Sequence, residues 1–350
     1  MKEIFANAKV IPHDIPAYQY IEKVGRNAYK SEERITPDSA LSFIKGLVKC
    51  GHWSVLEHEY LYAVLDRDDV NVIKNCFSKE KYLNCYDRFI SGSFRAWHEA
   101  FENAEAMHDT TGKSVMMHLY EQAADKYPEV FFSEKCEEYY ADDYGTNAHF
   151  VTADEFKDAV TKEYGVMLLS KFMPITALIT CDRGITHELV RHRPCAFLQE
   201  STRYCSYNKK AADDDIAEIT VITPCYLTSK KNPNLPENVP EKIMAGIKGD
   251  MKGKVRKYCY ETWASAQKLS ELAYMSIMSM KDKGAKPQEA RSVLTTSVKS
   301  DIYITATGEE WQHMVNMRYH GTSGKPHPQM LEVMSILYPQ LVEASEGAIH

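Results

Sequence analysis

Two arginines around a histidine, followed by a polar turn, form the most distinctive chemistry of this chain. The segment is Thr186-His187-Glu188-Leu189-Val190-Arg191-His192-Arg193-Pro194-Cys195-Ala196-Phe197-Leu198-Gln199-Glu200-Ser201-Thr202-Arg203-Tyr204. Guanidinium groups donate two parallel hydrogen bonds to phosphate oxygens, and a hydroxyl with turn amides can complete a phosphate cradle. Residues three and four apart share a helix face, so Glu188 should lie beside Arg191 and His192 on a helix that Pro194 ends. We therefore predict a local anion site.

Other interpretations of the same segment have to be weighed. An arbitrary Arg-His-Arg triplet is typical of a salt-bridged surface helix followed by a polar loop. His187 and His192 stand five positions apart and diverge by ~140° around a helix, which argues against a metalloprotease zinc site. The sequence around Ser201 shows no His and carboxylate that would activate its hydroxyl as a nucleophile. Cys195 and Cys205 flank the segment, and we expect both to pack as small apolar groups.

The composition narrows the class of protein. The 350 residues include 42 Lys and Arg against 49 Asp and Glu, which gives a net charge of −7. This balance argues against a general nucleic-acid binder. An RNA-binding module is an alternative, in which Phe197 and Tyr204 would stack against bases. No apolar run reaches the ~18 residues of a membrane helix, and the first residues do not resemble a signal peptide. Nine cysteines without a C-x-x-C pair fit reduced thiols, so we expect a cytoplasmic protein without a metal site or membrane association.

Several elements must position the segment. Thr36-Pro37 predicts the start of a helix that Gly51 ends, and Tyr60 to Leu65 has the composition of a strand. A buried strand is expected from Pro174 to Thr180. Apolar or small residues recur at helical spacing later in the chain and predict a long helix, at Val255, Tyr258, Thr262, Ala266, Leu269 and Leu272.

A longer pattern extends across these elements. Arg191-His192-Arg193, seven residues, and then Ser201-Thr202-Arg203-Tyr204 resembles the signature of the flavin-dependent thymidylate synthase family. Four further segments are similar to motifs of that family and follow in the expected order, namely Gly51-His52-x-Ser54-x-x-Glu57-His58, Pro287-Gln288-Glu289-Ala290-Arg291-x-Val293-Leu294, Trp311-Gln312-His313-x-x-x-Met317-Arg318 and Pro326-His327-Pro328-Gln329-Met330. The resemblance covers 1–66 and 166–345, with departures at Ala196, Thr295 and Thr307-Gly308-Glu309.

The resemblance implies a fold and an assembly. The fold would be of the α+β class, with a mixed sheet flanked by long helices in a single catalytic domain spanning 1–350. Residues 67–165 would be a large insertion in that domain, because compact family members join these motifs by a much shorter connection. The assembly would be a homo-oligomer, in this family usually a tetramer, whose active sites are shared between chains.

The resemblance also implies the residues that bind each ligand. Those that bind dUMP would be Glu188, Leu189, Val190, Arg191, Gln199, Glu200, Ser201, Thr202, Arg203, Arg291 and Arg318. Those that bind FAD would be His52, Ser54, Arg191, His192, Arg193, Gln199 and His313. Among these, Ser201 and Arg203 would hold the phosphate of dUMP.

The implied activity is the reductive methylation of dUMP to dTMP. Methylenetetrahydrofolate would donate the carbon, and FAD reduced by NADPH would supply the hydride. Arg318 is the candidate catalytic residue, because a cation against the pyrimidine favours its ionised, electron-rich form without a cysteine nucleophile. The alternative within the same fold is a flavoprotein that oxidises NADPH without methylation, and the presence of both Arg291 and Arg318 weighs against it.

Overall fold

The computed structural model describes residues 1–69, 82–104, 110–132, 146–205, 207, 218–283 and 285–350. Within these residues the chain forms ten strands, which are β1 Lys2–Ile4, β2 Asn7–Ile11, β3 Tyr60–Val64, β4 Leu83–Tyr86, β5 Phe89–Ser93, β6 His149–Val151, β7 Pro174–Asp182, β8 Ala196–Gln199, β9 Thr220–Ile222 and β10 Lys299–Thr307. The strands form two four-stranded sheets and one two-stranded ribbon.

The first sheet has the strand order β2-β7-β10-β8, and every neighbouring pair is antiparallel. β7 and β10 pair along their whole length, from Pro174 opposite Thr307 to Asp182 opposite Lys299. The buried strand predicted from Pro174 is therefore confirmed and continues two residues beyond Thr180. β10 lies between β7 and β8, so it connects the strand that precedes the Arg-His-Arg segment with the strand that follows it.

The second sheet has the order β4-β5-β3-β6 and is also antiparallel throughout, whereas β1 and β9 form the parallel ribbon. The α+β class is thus confirmed, but the prediction of one mixed sheet is wrong. The reason is that strand pairing depends on hydrogen bonds between residues far apart in the chain. The alternation of apolar residues within a strand does not reveal the direction of its partner.

Twelve α-helices fall within the described ranges, namely α1 Ala17–Tyr29, α2 Ser39–Lys49, α3 Phe94–Ala104, α4 Thr110–Lys126, α5 Pro128–Phe131, α6 Ala153–Tyr164, α7 Arg183–Leu189, α8 Glu241–Lys248, α9 Gly253–Met278, α10 Pro287–Ala290, α11 Gly308–Arg318 and α12 Pro328–Ala344. The predicted long helix is confirmed as α9. Its apolar stripe faces outward in the single chain, because Val255, Tyr258, Leu269 and Leu272 are 61–70% exposed.

The helix predicted after Thr36-Pro37 begins slightly later, at Ser39, with Asp38 as the N-cap residue. Gly51 ends it as predicted. At this position φ is +68°, a left-handed conformation that glycine adopts without steric cost, and His52 N donates to Leu47 O over 2.9 Å. The chain then enters the 3-10 helix Trp53–His58, which places His52 and Ser54 at the exposed start of that turn.

Helices α11 and α12 cover one face of the first sheet. Trp311 of α11 is fully buried and its Nε1 donates to Ile175 O of β7 over 2.8 Å. Ten residues of α12 are buried, and several of them pack in the core formed with β2, β7 and β10. This packing fixes α11, which ends at Arg318, against the sheet that carries β8.

The described part of 67–165 contributes β4, β5, β6 and helices α3 to α6. Buried residues of α3 and α4, including Trp97, Phe101 and Met116, pack in one apolar core with Tyr20 of α1 and Ile44 of α2. The stretch therefore packs against the rest of the chain. Residues 70–81, 105–109 and 133–145 of it lie outside the described ranges, and its status as an insertion stays a prediction.

Candidate active site

Arg318, the last residue of α11, contacts two residues of the Arg-His-Arg segment. Its Nε donates to His192 Nε2 over 2.8 Å, and its Nη1 donates to Glu188 Oε2 over 2.8 Å. Two bonds from a planar guanidinium fix its orientation as well as its position. No hydrogen bond joins Nη2 to another described residue, so N–H groups of this guanidinium are free to bind a ligand.

His192 is uncharged at neutral pH. Its side chain is buried, and burial together with the neighbouring Arg318 and His313 lowers the pKa of His192 to about 4. Because Nε2 accepts a hydrogen bond from Arg318, the ring proton is on Nδ1. The rings of His192 and His313 lie 6.1 Å apart, which brings two of the predicted flavin residues together.

The helix that carries Glu188 is shorter than predicted. α7 ends at Leu189, and residues 190–194 form turns and bends, so Pro194 does not mark its end. Glu188 and His192 nevertheless converge on Arg318, as their spacing indicates. Arg191 is exposed outside the helix, and the buried side chain of Leu189 leaves only its backbone for a ligand.

Gln199, at the end of β8, is held by two hydroxyls. Its Nε2 donates to Thr186 Oγ1 over 2.7 Å and to Ser300 Oγ over 3.0 Å. Thr186 belongs to α7 and Ser300 to β10, so these contacts fix the end of β8 relative to both elements. The sequence reasoning did not identify Thr186 or Ser300 as positioning residues, because nothing in the sequence pairs them with Gln199.

Residues 200–204, here called the Ser201 turn, follow β8. Ser201 N donates to Ala28 O over 3.0 Å, and Glu200 N donates to Asp301 O over 2.8 Å. Arg203 N donates to Ser201 Oγ over 3.3 Å. The backbone of the turn is therefore fixed by α1 on one side and by β10 on the other.

Two arginines here are exposed, Arg203 within the turn and Arg291 beside it. Arg291 Nη1 donates to Thr202 Oγ1 over 3.5 Å, and the guanidinium carbon of Arg203 lies 5.5 Å from the ring centre of Tyr204. Neither arginine forms an ion pair with a carboxylate in the part of the chain that the structure describes. Their uncompensated charge beside the hydroxyl of Ser201 is suited to a phosphate group.

A partly buried group of charges, here called the Lys299 cluster (Lys30, Glu200, Lys299 and Asp301), adjoins the turn. Lys299 Nζ lies 2.8 Å from Glu200 Oε2 and 2.6 Å from Asp301 Oδ2, and Lys30 also bonds to Asp301. Burial opposes the charge of Asp301, but Lys299 and Lys30 outweigh it and lower the pKa of this carboxyl to about 2. The carboxylate of Glu200 is thus turned into the protein, away from any ligand on the turn.

The sequence reasoning missed the Lys299 cluster. The sequence does contain one indication of it, namely charged residues at the start of β10, a strand that is otherwise largely buried. A charge within such a strand needs a partner of opposite charge. The side chain of Glu200 therefore positions the turn, and a contact of Glu200 with a nucleotide would use its backbone.

Tyr29, the last residue of α1, links His52 to the Ser201 turn. Its hydroxyl is 2.9 Å from His52 Nδ1, and its ring centre lies 5.5 Å from that of Tyr204. A residue of the predicted flavin motif and the predicted phosphate turn therefore share one neighbour. Ser54 follows His52 by two residues, at the start of the 3-10 helix Trp53–His58, and its side chain is exposed.

Arg191 and Arg193 are the remaining candidates. Both side chains are exposed, and neither takes part in a hydrogen bond or ion pair with another described residue. Exposed guanidinium groups without carboxylate partners have the chemistry that a pyrophosphate requires. Val190 is partly buried against the core below them.

The predicted residues fall into two groups at the two ends of β8. Glu188, His192, His313 and Arg318 lie before the strand, and the Ser201 turn with Arg291 and His52 lies after it. Among the described residues, no hydrogen bond or ion pair joins Arg318 directly to the turn. Gln199 connects the two groups through Thr186 of α7.

The thiol of Cys195, which flanks the segment, is not activated. Burial raises the pKa of Cys195 to about 12, and the buried Cys205 Sγ donates to Ala28 O over 3.6 Å. Seven cysteines fall within the described residues and none of them forms a disulfide there, while Cys76 and Cys136 lie outside them. Cys195 therefore has no thiolate character at neutral pH.

Neither a membrane helix nor a cluster of metal ligands is found in the described part of the chain. None of its helices combines the length and apolar character needed to cross a membrane. It also contains no group of three or more His, Cys, Asp and Glu side chains placed to hold a metal ion.

Comparison with known proteins identifies relatives of this sequence. Residues 97–341 match the family described as thymidylate synthase complementing protein. The chain is 28% identical over 138 residues to a flavin-dependent thymidylate synthase of Pyrococcus abyssi, and 27% identical over 142 residues to that of Thermococcus onnurineus. These matches cover 39% and 41% of this chain, and they span only 43% and 44% of the relatives' own lengths.

Among solved structures, the UMP/dUMP methylase PolB from Streptomyces cacaoi bound with 5-Br dUMP aligns over 98% of this chain and 91% of its own, with 12% identity and a TM-score of 0.38. This likeness is too low to support a shared fold.

Proposed function

Because the chain belongs to the thymidylate synthase complementing protein family, we propose that it is a flavin-dependent thymidylate synthase that methylates dUMP to dTMP. Methylenetetrahydrofolate is the proposed carbon donor and NADPH the proposed reductant. The curated relatives of that activity are matched over less than half of their length. The proposal therefore depends on the family together with the chemistry of the site.

The single observation that carries the proposal is the hydrogen bonding of Arg318 to both Glu188 and His192. Methylation at C5 of uracil requires an electron-rich ring, and a cation held against that ring favours its ionised form. One preorganised donor of this kind is worth about 3–4 kcal/mol in a transition state. Glu188 and the uncharged His192 orient the guanidinium before the substrate arrives, which is the requirement for such an effect.

The Ser201 turn is the proposed phosphate site. The hydroxyl of Ser201 and the guanidinium groups of Arg203 and Arg291 supply donors on one exposed surface. Thr202 orients Arg291, and Gln199 fixes the start of the turn. We assign the backbones of Leu189, Val190 and Glu200, together with Arg191, to the remaining contacts with dUMP.

The proposed FAD site uses side chains whose chemistry fits the group. Arg191 and Arg193 would bind the pyrophosphate, since both guanidinium groups lack carboxylate partners among the described residues. His192 and His313 lie together on one side, whereas His52 is linked to the Ser201 turn through Tyr29. Ser54 would contribute from the 3-10 helix that follows His52. When bound and reduced, FAD supplies the hydride that completes the methyl group. The partly buried thiol of Cys195 is poorly suited to act as a nucleophile, because desolvation raises its pKa to about 12.

We propose that these sites are completed between chains of a homo-oligomer, as a tetramer. The two groups of residues lie at opposite ends of β8, which suits ligands that receive contacts from more than one chain. The outward apolar stripe of α9 offers a surface that a second chain would cover. The proposed location of the enzyme is the cytoplasm, where its cysteines would remain reduced.

The test is the release of tritium from dUMP labelled at C5 by the purified, FAD-loaded protein. Release that depends on methylenetetrahydrofolate and NADPH together is the expected result. Oxidation of NADPH without tritium release would instead identify an oxidase. A protein that remains colourless after incubation with FAD and releases no tritium would contradict the proposal. Light scattering on the same sample measures the mass of the assembly.

A further inference from the structure

The last motif of the chain, Pro326-His327-Pro328-Gln329-Met330, supplies none of the residues predicted to bind dUMP or FAD. It forms the start of α12, where His327 is the N-cap residue and Pro328 is the first helical residue. Met330 is fully buried in the core formed with the first sheet. Gln329 is buried as well, but its side chain is polar. A buried amide needs a hydrogen-bond partner, and that partner indicates what the motif does.

The partner of Gln329 is Asp182, the last residue of β7. Gln329 Nε2 donates to Asp182 Oδ2, and the side chain of Asp182 is buried. The other oxygen of the same carboxyl, Oδ1, accepts from Ile185 N over 3.0 Å, which makes Asp182 the N-cap residue of α7. One carboxyl group therefore joins α12 to the first turn of α7, although 147 positions separate Asp182 from Gln329.

The carboxyl of Asp182 depends on amide donors. It forms no ion pair with a lysine or arginine among the described residues, and burial raises the pKa of Asp182 while the backbone amides of Ile185 and Gly184 act in the opposite direction. A buried oxygen that loses its donor is costly. Without Gln329 we therefore expect the carboxyl of Asp182 to move, and the start of α7 to move with it.

α12 also contacts the residue that follows Arg318. The rings of Tyr319 and Tyr338 are stacked with their centres 4.6 Å apart, and Tyr338 belongs to α12. Arg318 is the last residue of α11, so this contact helps to fix its backbone. Glu188, which accepts from the Arg318 guanidinium, lies in the last turn of α7. One helix therefore positions both partners of the Arg318–Glu188 ion pair.

α7 is short enough to transmit a displacement. It has seven residues and a length of ~10 Å, so a shift of its first turn reaches Glu188. Two further hydrogen bonds hold the helix, because Arg183 N donates to Thr296 O over 2.9 Å and Thr186 accepts from Gln199. These two bonds join α7 to β8 and to the loop before β10, whereas the bond between Asp182 and Gln329 reaches α12. Loss of that bond should shift Glu188 without unfolding α7.

We propose that Asp182 and Gln329 are positioning residues for the methylation of dUMP. They hold the start of α7 against α12, which places Glu188 and thereby sets the direction in which the Arg318 guanidinium faces a ligand. The proposal rests on the proposed function, since Arg318 acts on a pyrimidine only if the chain is a thymidylate synthase. It also gives a role to the last motif of the chain, whose residues start α12 and extend one amide to Asp182.

The main test is Gln329→Met, which removes the amide but keeps a side chain of similar length. In the FAD-loaded enzyme we expect kcat for tritium release from C5-labelled dUMP to fall about tenfold or more, because Arg318 is misplaced. KM for dUMP should change little, since the Ser201 turn is unaltered. In an Arg318→Ala background the same substitution should cause no further loss, because Gln329 acts through Arg318. Equal losses of kcat in the two backgrounds would overturn the proposal.

A second readout does not require turnover. Phenylglyoxal modifies arginine side chains, and peptide mass spectrometry measures the rate at each position. Arg318, held by Glu188 and His192, should react more slowly than the exposed Arg34, and Gln329→Met should raise its rate toward that of Arg34. An unchanged rate would also overturn the proposal. A parent protein that releases no tritium would contradict the proposed function instead, and the modification rates would still test how Arg318 is positioned.

Three further variants separate positioning from stability. Asp182→Asn keeps an acceptor for Ile185 N and can donate to Gln329 Oε1 once the Gln329 amide is turned over, so kcat should stay close to that of the parent. Thr152→Ala removes the equivalent N-cap contact of α6, a helix without a predicted site residue, and should lower the thermal stability alone. A loss of kcat in Thr152→Ala as large as that in Gln329→Met would overturn the proposal. If Gln329→Met does not fold, Gln329→Asn withdraws the amide by one methylene and is subject to the same measurements.

Discussion

Arg318 Nε donates to His192 Nε2 over 2.8 Å, so a guanidinium group is held by an imidazole that carries no charge. The other arm of the same guanidinium bonds to Glu188. This arrangement joins the end of α11 to the Arg-His-Arg segment across 126 positions of the chain. The orientation of Arg318 therefore depends on His192 remaining unprotonated.

Removal of Arg318 tests its proposed catalytic role. In Arg318→Ala we expect tritium release from C5-labelled dUMP to fall by about a hundredfold to a thousandfold, because a preorganised donor to the pyrimidine is lost. Flavin absorbance should remain, since Arg191 and Arg193 are intact. Arg34→Ala is the matched control, because Arg34 is exposed and its ion pair with Glu33 is also solvent-exposed. Normal turnover in Arg318→Ala would remove this residue from the reaction.

Acid should destabilise the protein through His192. Its pKa is about 4 in the folded chain and 6.5 when exposed, so the unfolded state binds the extra proton first as pH falls. The contribution of His192 to the free energy of unfolding is complete above pH 6.5. It decreases below that pH and is lost by about pH 4, and it amounts to at most about 3 kcal/mol. Urea unfolding at pH 7 and pH 5 measures this loss, and His192→Gln should reduce the difference. If His192→Gln and the exposed-site control His118→Gln show the same pH dependence, the attribution is wrong.

The hydroxyl of Ser201 should contribute to binding and not to chemistry. Ser201→Ala is expected to raise the KM for dUMP by about tenfold, the effect of one lost hydrogen bond to a charged group, with little change in kcat. Steady-state kinetics separate the two parameters, and Ser42→Ala on the exposed face of α2 is the control. An inactive Ser201→Ala enzyme that binds dUMP normally would support a nucleophilic serine instead.

The Lys299 cluster should be a strong determinant of stability. Lys299→Met leaves the buried carboxylate of Glu200 and the partly buried one of Asp301 with less compensation, and we expect a loss of about 3 kcal/mol in the free energy of unfolding. Lys257→Met removes an exposed pair with Glu261 and should cost less than about 0.5 kcal/mol. Denaturant titration compares the two. Adding Glu200→Gln to Lys299→Met should recover part of the loss, and equal effects of the two single variants would contradict the assignment.

The stripe on α9 should control assembly. Leu269→Glu places a charge in an apolar surface that is 61–70% exposed in the single chain, so the oligomer should dissociate. Light scattering should then report a smaller mass than for the parent protein, with a parallel loss of activity. Lys268→Glu changes charge at the neighbouring exposed position and should leave the mass unchanged. An unaltered mass in Leu269→Glu would show that this face is not an interface.

The sequence predicted the residues of the site better than the contacts between them. The spacing of Glu188 and His192 indicated a shared face, and both residues contact Arg318 even though α7 ends at Leu189. Local spacing succeeds here because one helical turn and a short loop separate the two residues. It gave no means of predicting the contact of Gln199 with Ser300, which depends on the pairing of β8 with β10.

The charged residues that adjoin the turn illustrate the same limit. Glu200 was assigned to the ligand because of its position in a motif, but its carboxylate bonds to Lys299 inside the protein. A motif specifies the order of residues, whereas the direction of a side chain depends on which charges the fold buries beside it. For the same reason the apolar stripe of α9 was visible in the sequence, but not the fact that it faces outward.

The late position of β10 affects how the chain can be made. β7 is complete at residue 182 and β8 at residue 199, yet the strand that must lie between them begins only at Lys299. During synthesis the edges of β7 and β8 that pair with β10 therefore remain unpaired until the ribosome has added about another hundred residues. Unpaired strand edges can form hydrogen bonds with other chains, which leads to aggregation. Production in living cells should consequently respond to chaperone supply, and chains truncated before Lys299 should aggregate rather than retain a fraction of the enzyme's structure.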